Sequence, residues 1–415
     1  MSPTKSPMSI PMRRGAFVSF LLTALGLAPG AAAAALDHGT ASPESLGPVP
    51  AGGVAEDTAQ GLSCGAPVGD SSSVQGERGA ARHVGPYLLL EALGAGGMGE
   101  VFAAEAAHPV RRRVALKLLR SGLPDAAQRG QFELECQALA LVEHEHIARY
   151  YDSGVDEEGR PWLAMELVAG EPITHYCERR ALDLDARLAL LADVARAVAH
   201  MHARGVIHGD LKPKNILVSE REGRAVVKVI DLGAARIAGR PAPAPATLTG
   251  TLLYMAPEQL ASEDPPLRER CDVYALGLVL RELLLGRERV GPSGADGVAL
   301  AFQRATRALP SPSAILAEAR APWSQSGQPS QPPGRAEPRG LSAPRLQRRL
   351  QAGLEALVMR ATAFDPLART PTARALAGDL ERDVARARQA AAGRARGRAL
   401  AAAALAASAV TWLVA

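Results

Sequence analysis

Asp210, Lys212 and Asn215 lie within Val206-Ile-His-Gly-Asp-Leu-Lys-Pro-Lys-Asn-Ile-Leu-Val218 at a spacing suited to phosphoryl transfer. In such a loop the aspartate accepts the proton of the attacking hydroxyl, the lysine faces the migrating phosphate and the asparagine holds a magnesium ion. A second carboxylate, Asp231 of Asp231-Leu-Gly233, follows the apolar run Val226 to Ile230 and stands where a further magnesium ligand belongs in this chemistry. The reaction leaves a protein little covalent work, so positioning and charge neutralisation must carry it.

Other elements have to bring a nucleotide to these residues. Leu93-Gly94-Ala-Gly96-Gly97-Met-Gly99-Glu-Val101 fits G-x-G-x-x-G-x-V, in which missing side chains let backbone N–H groups approach phosphates. Val114-Ala115-Leu-Lys117 alternates as a strand does and ends in a lysine aimed at the same phosphates. From Gln128 to Val142 the apolar Phe132, Cys136, Leu139 and Val142 recur at helical spacing, which puts Glu133 and Glu135 on different faces of one helix. One of the two should pair with Lys117. Leu163-Ala-Met-Glu-Leu-Val168 reads as a strand running into a hinge. Gly250-Thr-Leu-Leu-Tyr-Met-Ala-Pro-Glu258 supplies a glutamate whose expected partner is Arg369, since a buried carboxylate without a cation is costly.

In this order the motifs resemble those of the eukaryotic-like serine/threonine protein kinases of bacteria, over Tyr87 to Val384. Glu171 to Arg180 and Arg349 to Arg360 are similar to the same places in one bacterial subfamily. The resemblance implies an α+β, two-lobed protein-kinase fold with a small strand-rich lobe and a larger helical lobe. It implies ATP and Mg²⁺ as cofactors and Ser/Thr-bearing proteins as substrates, with homodimers common among similar kinases. Asp210, Lys212, Lys117 and Glu135 would be catalytic, Glu135 because that slot of an F-x-x-E-x-Q-x-L segment makes the ion pair, with Glu133 as the fallback. Nucleotide contacts would fall to Leu93, Gly94, Gly96, Gly97, Gly99, Val101, Ala115, Lys117, and the backbone at Glu166 and Val168. Magnesium would be held by Asn215 and Asp231. Asp272 would anchor the catalytic loop, Thr247 and Thr249 would be phosphosites, and Thr251 would shape the substrate platform.

One position departs from the pattern. The usual His-Arg-Asp triplet is His208-Gly209-Asp210, so the arginine that binds an activating phosphate is missing. The same His-Gly-Asp resembles small-molecule phosphotransferases, which makes that class one alternative, but Lys212 and the Ala256-Pro-Glu258 platform favour a protein substrate. A pseudokinase that binds nucleotide or partners without turnover is the other alternative; it predicts a lost catalytic residue, whereas Lys117, Asp210, Asn215 and Asp231 are all intact.

Composition narrows less. The 415 residues carry a net charge of only +4, the excess arginine sits near the C-terminus, and no aromatics interleave with it, so nucleic-acid binding is not expected. Cys64, Cys136, Cys177 and Cys271 are scattered without a C-x-x-C pair and read as reduced thiols. His144 and His146, two apart, do not share a helical face and are expected to end the glutamate-bearing helix.

Along the chain, residues 1–36 form a signal-like apolar segment and 37–82 a Gly/Ala/Ser/Pro-rich flexible linker. The kinase domain is expected over 83–384, with lobes of about 87–165 and 169–384 and a Pro/Ser/Gly/Gln-rich disordered insertion at about 310–344. A basic juxtamembrane segment, 385–398, precedes the apolar run 399–415, expected to be a transmembrane helix. Taken literally, Arg13-Arg14 and the apolar stretch behind them would export the chain. A kinase needs ATP, however, so the expected place is the cytoplasmic membrane with the kinase domain facing the cytoplasm, or else the soluble cytoplasm.

Overall fold

Alternation along one strand organises the small lobe. In β4 (Arg112–Leu119), Val114, Leu116 and Leu118 face one way and pack with Val84, Tyr87, Ala104, Trp162 and Ala164. Ala115 and Lys117 face the other way, beside Leu163, Met165 and Cys136. The structure, a computed structural model, describes residues 82–96, 99–106, 111–119, 132–133, 136–137, 139–231, 236–237, 252–260, 269–286, 308–318 and 338–414, with side chains to 401. The described elements lie within one compact unit, His83–Ala415. The signal-like segment and the linker lie outside the described residues.

β4 is the centre of a six-stranded antiparallel sheet with β1 (His83–Val84), β2 (Tyr87–Gly96), β3 (Gly99–Ala106), β5 (Tyr150–Val155) and β6 (Pro161–Glu166), in the order β1-β2-β3-β4-β6-β5. The glycine-rich segment is the β2/β3 hairpin, where Gly96 pairs with Gly99. Gly99 has φ of 151°, and a Cβ there would lie 2.2 Å from the Leu118 carbonyl oxygen, so only glycine lets β3 approach β4 so closely. The stretch expected to be a helix is helical at its described positions between Phe132 and Ala140.

The larger lobe is built around α2 (Leu184–His202) and α4 (Glu269–Leu285). Asp183 caps α2 by accepting from Ala186 N–H at 3.0 Å, and Asp185 in its first turn suits the helix dipole. α4 is buried from Cys271 to Leu285, on every side of the helix. Ahead of α2 the chain lays down β7 (Glu171–Pro172), and between α2 and α4 it lays down β8 (Val206–Ile207), β9 (Ile216–Arg221), β10 (Arg224–Val229) and β11 (Arg236–Ile237), in two small sheets ordered β10-β9-β7 and β11-β8. The short helices α1 (Ile173–Arg179), α3 (Pro257–Leu260), α5 (Pro312–Glu318), α6 (Ala343–Arg349) and α7 (Glu355–Ala361) complete the lobe, and α8 (Ala373–Val414) ends the described chain.

Two expectations need correction here. The stretch 310–344 is structured at both ends. α5 buries Leu316, and Gly340 packs so tightly that a Cβ on it would lie 2.1 Å from the Ala181 carbonyl oxygen. Proline and serine counts overlooked the anchor: buried Arg187 donates to the carbonyl oxygens of Leu182 and Leu283 at 3.0 Å and to that of Arg339, which pins the returning chain. Residues 319–337 lie outside the described residues. At the C-terminus, 399–414 forms no separate helix but continues α8, and among the described residues no helix is long and apolar enough to cross a membrane. The run is mostly alanine, which contributes little apolar surface per residue. Val384 is the last buried position among the described side chains of α8.

Candidate active site

The loop that carries Asp210 is held from beneath. After β8 the backbone turns at Gly209, whose φ is 75°. Asp272 of α4 accepts from the N–H groups of His208 and Gly209, both at 2.9 Å, and His202 Nε2 lies 2.8 Å from its Oδ2. Burial pushes the Asp272 carboxyl up, but the His202 hydrogen bond and charge, with His208 and the Gly209 amide, outweigh it and hold the group below the usual carboxylate value. Asp272 thus anchors the loop, as expected of it. Glycine at 209 suits the turn, because a side chain in the left-handed region costs about 1–2 kcal/mol.

Around Asp210 three expected residues converge. Lys212 Nζ donates to Asp210 Oδ2 at 2.8 Å, and Asn215 Nδ2 donates to the Asp210 carbonyl oxygen at 2.8 Å and to Oδ2 at 3.2 Å. Asp210 Oδ1 is buried and accepts no hydrogen bond among the described residues. A buried carboxylate oxygen in that state awaits a donor, and a substrate hydroxyl would supply one. Because Asn215 commits Nδ2 to Asp210, its Oδ1 is the end left for a cation.

Asp231 is linked to the same loop through the backbone. Ile230 N–H donates to the Asn215 carbonyl oxygen at 2.9 Å, and His208 Nε2 lies 3.2 Å from the Ile230 carbonyl oxygen. Asp231 has φ of 63°, a left-handed conformation that aspartate tolerates better than most residues. Its carboxylate pairs with Lys117 Nζ. Burial raises this carboxyl too, yet Lys117, with His208 and Lys212 behind it, holds it below the usual carboxylate value.

The donor set fits magnesium. An Asp carboxylate and an Asn amide oxygen are hard ligands, and Mg²⁺ commonly takes one or two protein oxygens and completes its shell with phosphates and water. The described residues hold no cluster of three or more metal-ligating side chains, as such a site requires none. For the nucleotide, Ala115, Leu163 and Met165 form an apolar surface flanked by Val101 and Leu167. Val101 pairs in register with Lys117, while Leu93 and Gly94 lie exposed on β2.

Glu135 and Gly97 are outside the described residues, as are Thr247, Thr249 and Thr251, and Glu133 is exposed. At the hinge, Glu166 N–H donates to the Arg149 carbonyl oxygen at 2.8 Å, and its side chain turns to Lys228, 2.7 Å away. Val168 is half-buried. Lys228 was not singled out from the sequence, although a lone cation in the apolar run Val226 to Ile230 was a visible signal. The expected Glu258–Arg369 pair is present and bidentate, at 2.7 and 3.0 Å.

With this geometry in place, comparison with known proteins gives consistent matches. The family model described as the protein kinase domain matches residues 87–329. Serine/threonine-protein kinase Pkn1 of Myxococcus xanthus is 36% identical over 237 residues, 56% of this chain and 33% of Pkn1. Serine/threonine-protein kinase PknA of Mycobacterium tuberculosis is 36% identical over 225 residues, 52% of this chain and 50% of PknA. The chain thus spans half or less of the length of these relatives. A crystal structure of a double mutant of the Mycobacterium tuberculosis PknI kinase domain superposes with a TM-score of 0.50 at 24% identity, covering 74% of this chain and 98% of that one, a likeness of fold.

Proposed function

Since the chain belongs to the protein kinase domain family, we propose that it is a serine/threonine protein kinase that transfers the γ-phosphoryl group of ATP to protein hydroxyls. One observation carries the reading: Asp210 keeps a buried Oδ1 with no partner among the described residues, beside Lys212 and Asn215, with Asp231 and Lys117 paired nearby. Asp210 orients the hydroxyl and takes its proton at Oδ1. Lys212 neutralises charge next to it, and Lys117 steadies the phosphates. Asn215 and Asp231 are the residues that would hold magnesium. When bound, that ion neutralises charge on the phosphates.

The intact set supports turnover over a pseudokinase, and Lys212 with the Glu258–Arg369 platform supports a protein substrate over a small molecule. The test is phosphotransfer by the full chain, with labelled ATP and magnesium, into itself and into a generic basic protein, beside Asp210→Asn. The variant should lose orders of magnitude in turnover, of the size seen when a positioned acid–base group is removed, roughly 10²–10⁴-fold, with ATP affinity nearly unchanged. Equal activity in both proteins would refute the assignment. Label appearing only on hydroxyl-bearing metabolites would move the chain to the small-molecule class.

We place the kinase domain on the cytoplasmic side of the membrane, where ATP is supplied, with Arg394, Arg396 and Arg398 as cytoplasmic flank of any C-terminal anchor. Fractionation with protease protection tests this: digestion of the kinase domain in intact spheroplasts would defeat it.

A further inference from the structure

A lysine in the interior of an apolar strand needs a strong reason to be there. Lys228 lies in β10 between Val227 and Val229, is 7% exposed, and belongs to a strand whose last three residues are all buried. A charge so placed is tolerated only where paired and hydrogen-bonded. Its Nζ donates to Glu166 Oε2 at 2.7 Å and to the Ile147 carbonyl oxygen at 3.2 Å. Glu166 is further held by Arg149 N–H at 3.2 Å and by Arg221 at 3.6 Å. Burial raises the Glu166 carboxyl, but Lys228 and Arg149 more than offset that and hold it below the usual carboxylate value.

The three segments joined by this one ammonium are those a nucleotide must find in fixed relation. Glu166 ends β6 and opens the hinge. Ile147 belongs to the segment that follows the 132–140 helical stretch and binds β10 directly, with Val229 N–H donating to the His146 carbonyl oxygen and Ala148 N–H to the Val229 carbonyl oxygen, both at 2.8 Å. Lys228 itself stands three residues before Asp231 on the strand that delivers the metal-ligand carboxylate.

We infer that the Lys228–Glu166 pair is a positioning device for nucleotide binding: it fixes the hinge, which receives the base, relative to the strand that presents Asp231, which receives the metal–phosphate end. This rests on the nucleotide site proposed above. Neither side chain touches the reacting atoms. Their contribution is the distance between the two ends of the site, so loss of the pair weakens binding of magnesium–ATP more than it slows the chemical step.

A double-mutant cycle on the full chain tests this, with Lys228→Met, Glu166→Gln and the two combined. Three quantities are read below the melting transition: the dissociation constant for magnesium–ATP by displacement of a fluorescent ATP analogue, KM against kcat, and Tm. Each single variant is expected to weaken magnesium–ATP binding about tenfold, equivalent to 1.4 kcal/mol. The double variant is expected to be weakened to the same extent and no further, because one shared interaction is lost each time. Tm should fall in the singles, which leave one charge buried alone, and recover in the double. If nucleotide affinity also recovers in the double, or if the single effects add, the pair serves stability alone and the inference is overturned. If the parent chain binds ATP with the expected pattern across the cycle yet transfers no phosphate, the kinase reading fails while this one stands.

Discussion

Gly209 shows how one residue can answer both to the backbone and to regulation. Its φ of 75° and its N–H bond to Asp272 Oδ1 at 2.9 Å give a structural reason for glycine, independent of any loss of control. Gly209→Ala should therefore lower stability by about 1–2 kcal/mol, read as a shift in the denaturation midpoint, with the loop otherwise intact. The same residue leaves no cation at position 209 to bind a phosphate. Phosphatase pre-treatment should accordingly leave turnover nearly unchanged, and a large loss of activity would show that another cation has taken over. At this scale the sequence was most legible, because Asp210, Lys212, Asn215 and Asp231 owe their spacing to the chemistry. Less visible was the partner of each group: that Asp231 engages Lys117, and that Glu166 turns its carboxylate to Lys228, depends on contacts across 114 and 62 residues of chain.

Elements were read where their periodicity was regular and missed where a single side chain decides the outcome. The strand carrying Lys117 followed from alternation, whereas the ordering of the chain near Arg339 depends on Arg187. That arginine sits 1% exposed in α2, where a sequence pattern assigns an arginine to solvent. It bonds Glu178 at 2.9 Å as well as the carbonyl oxygens of Leu182, Leu283 and Arg339. Arg187→Leu strands those acceptors and should cost about 3–5 kcal/mol, seen in chemical denaturation, with proteolysis near Arg339 accelerated. A milder effect is expected at the junction of the 144–146 segment with α2, where the His144 and His200 rings lie 4.9 Å apart and those of His144 and His146 5.5 Å apart. Burial lowers both His144 and His200 below the ordinary value of 6.5, helped for His144 by the two neighbouring imidazoles and for His200 by Arg204. Glu143, Glu145, Asp193 and Arg196 complete the surroundings. The unfolded chain then takes up these protons first, so stability is fully present above pH 6.5 and declines as the pH falls below it. Tm measured between pH 7 and pH 5 should fall, and His200→Gln should flatten that slope; an unchanged slope would assign it to other groups.

At the scale of the whole molecule, the C-terminal helix outlasts the body it packs on. α8 contributes Ala373, Leu376, Ala377, Leu380 and Val384 to the core, and Asp383 receives Arg349. Beyond Val384 nearly every described side chain is exposed, through Arg386, Arg388, Arg394, Arg396 and Arg398 to Leu400 at 72%. Helix propagation there draws on alanine and arginine propensity alone, which is marginal in water without packing. Two outcomes follow for the isolated protein. Amide exchange should be far faster at 388–400 than in α2, since local opening of an unpacked helix end needs little free energy. Removal of residues 389–415 from the chain should leave Tm and phosphotransfer to a soluble acceptor essentially unchanged, because every described side chain from 389 to 401 is exposed. A substantial fall in Tm on truncation would mean that the tail packs against the lobe. Unchanged Tm with release of the protein from the membrane fraction of cells would instead assign the exposed arginines and the apolar run behind them to anchoring, a role that needs no contact with the kinase body.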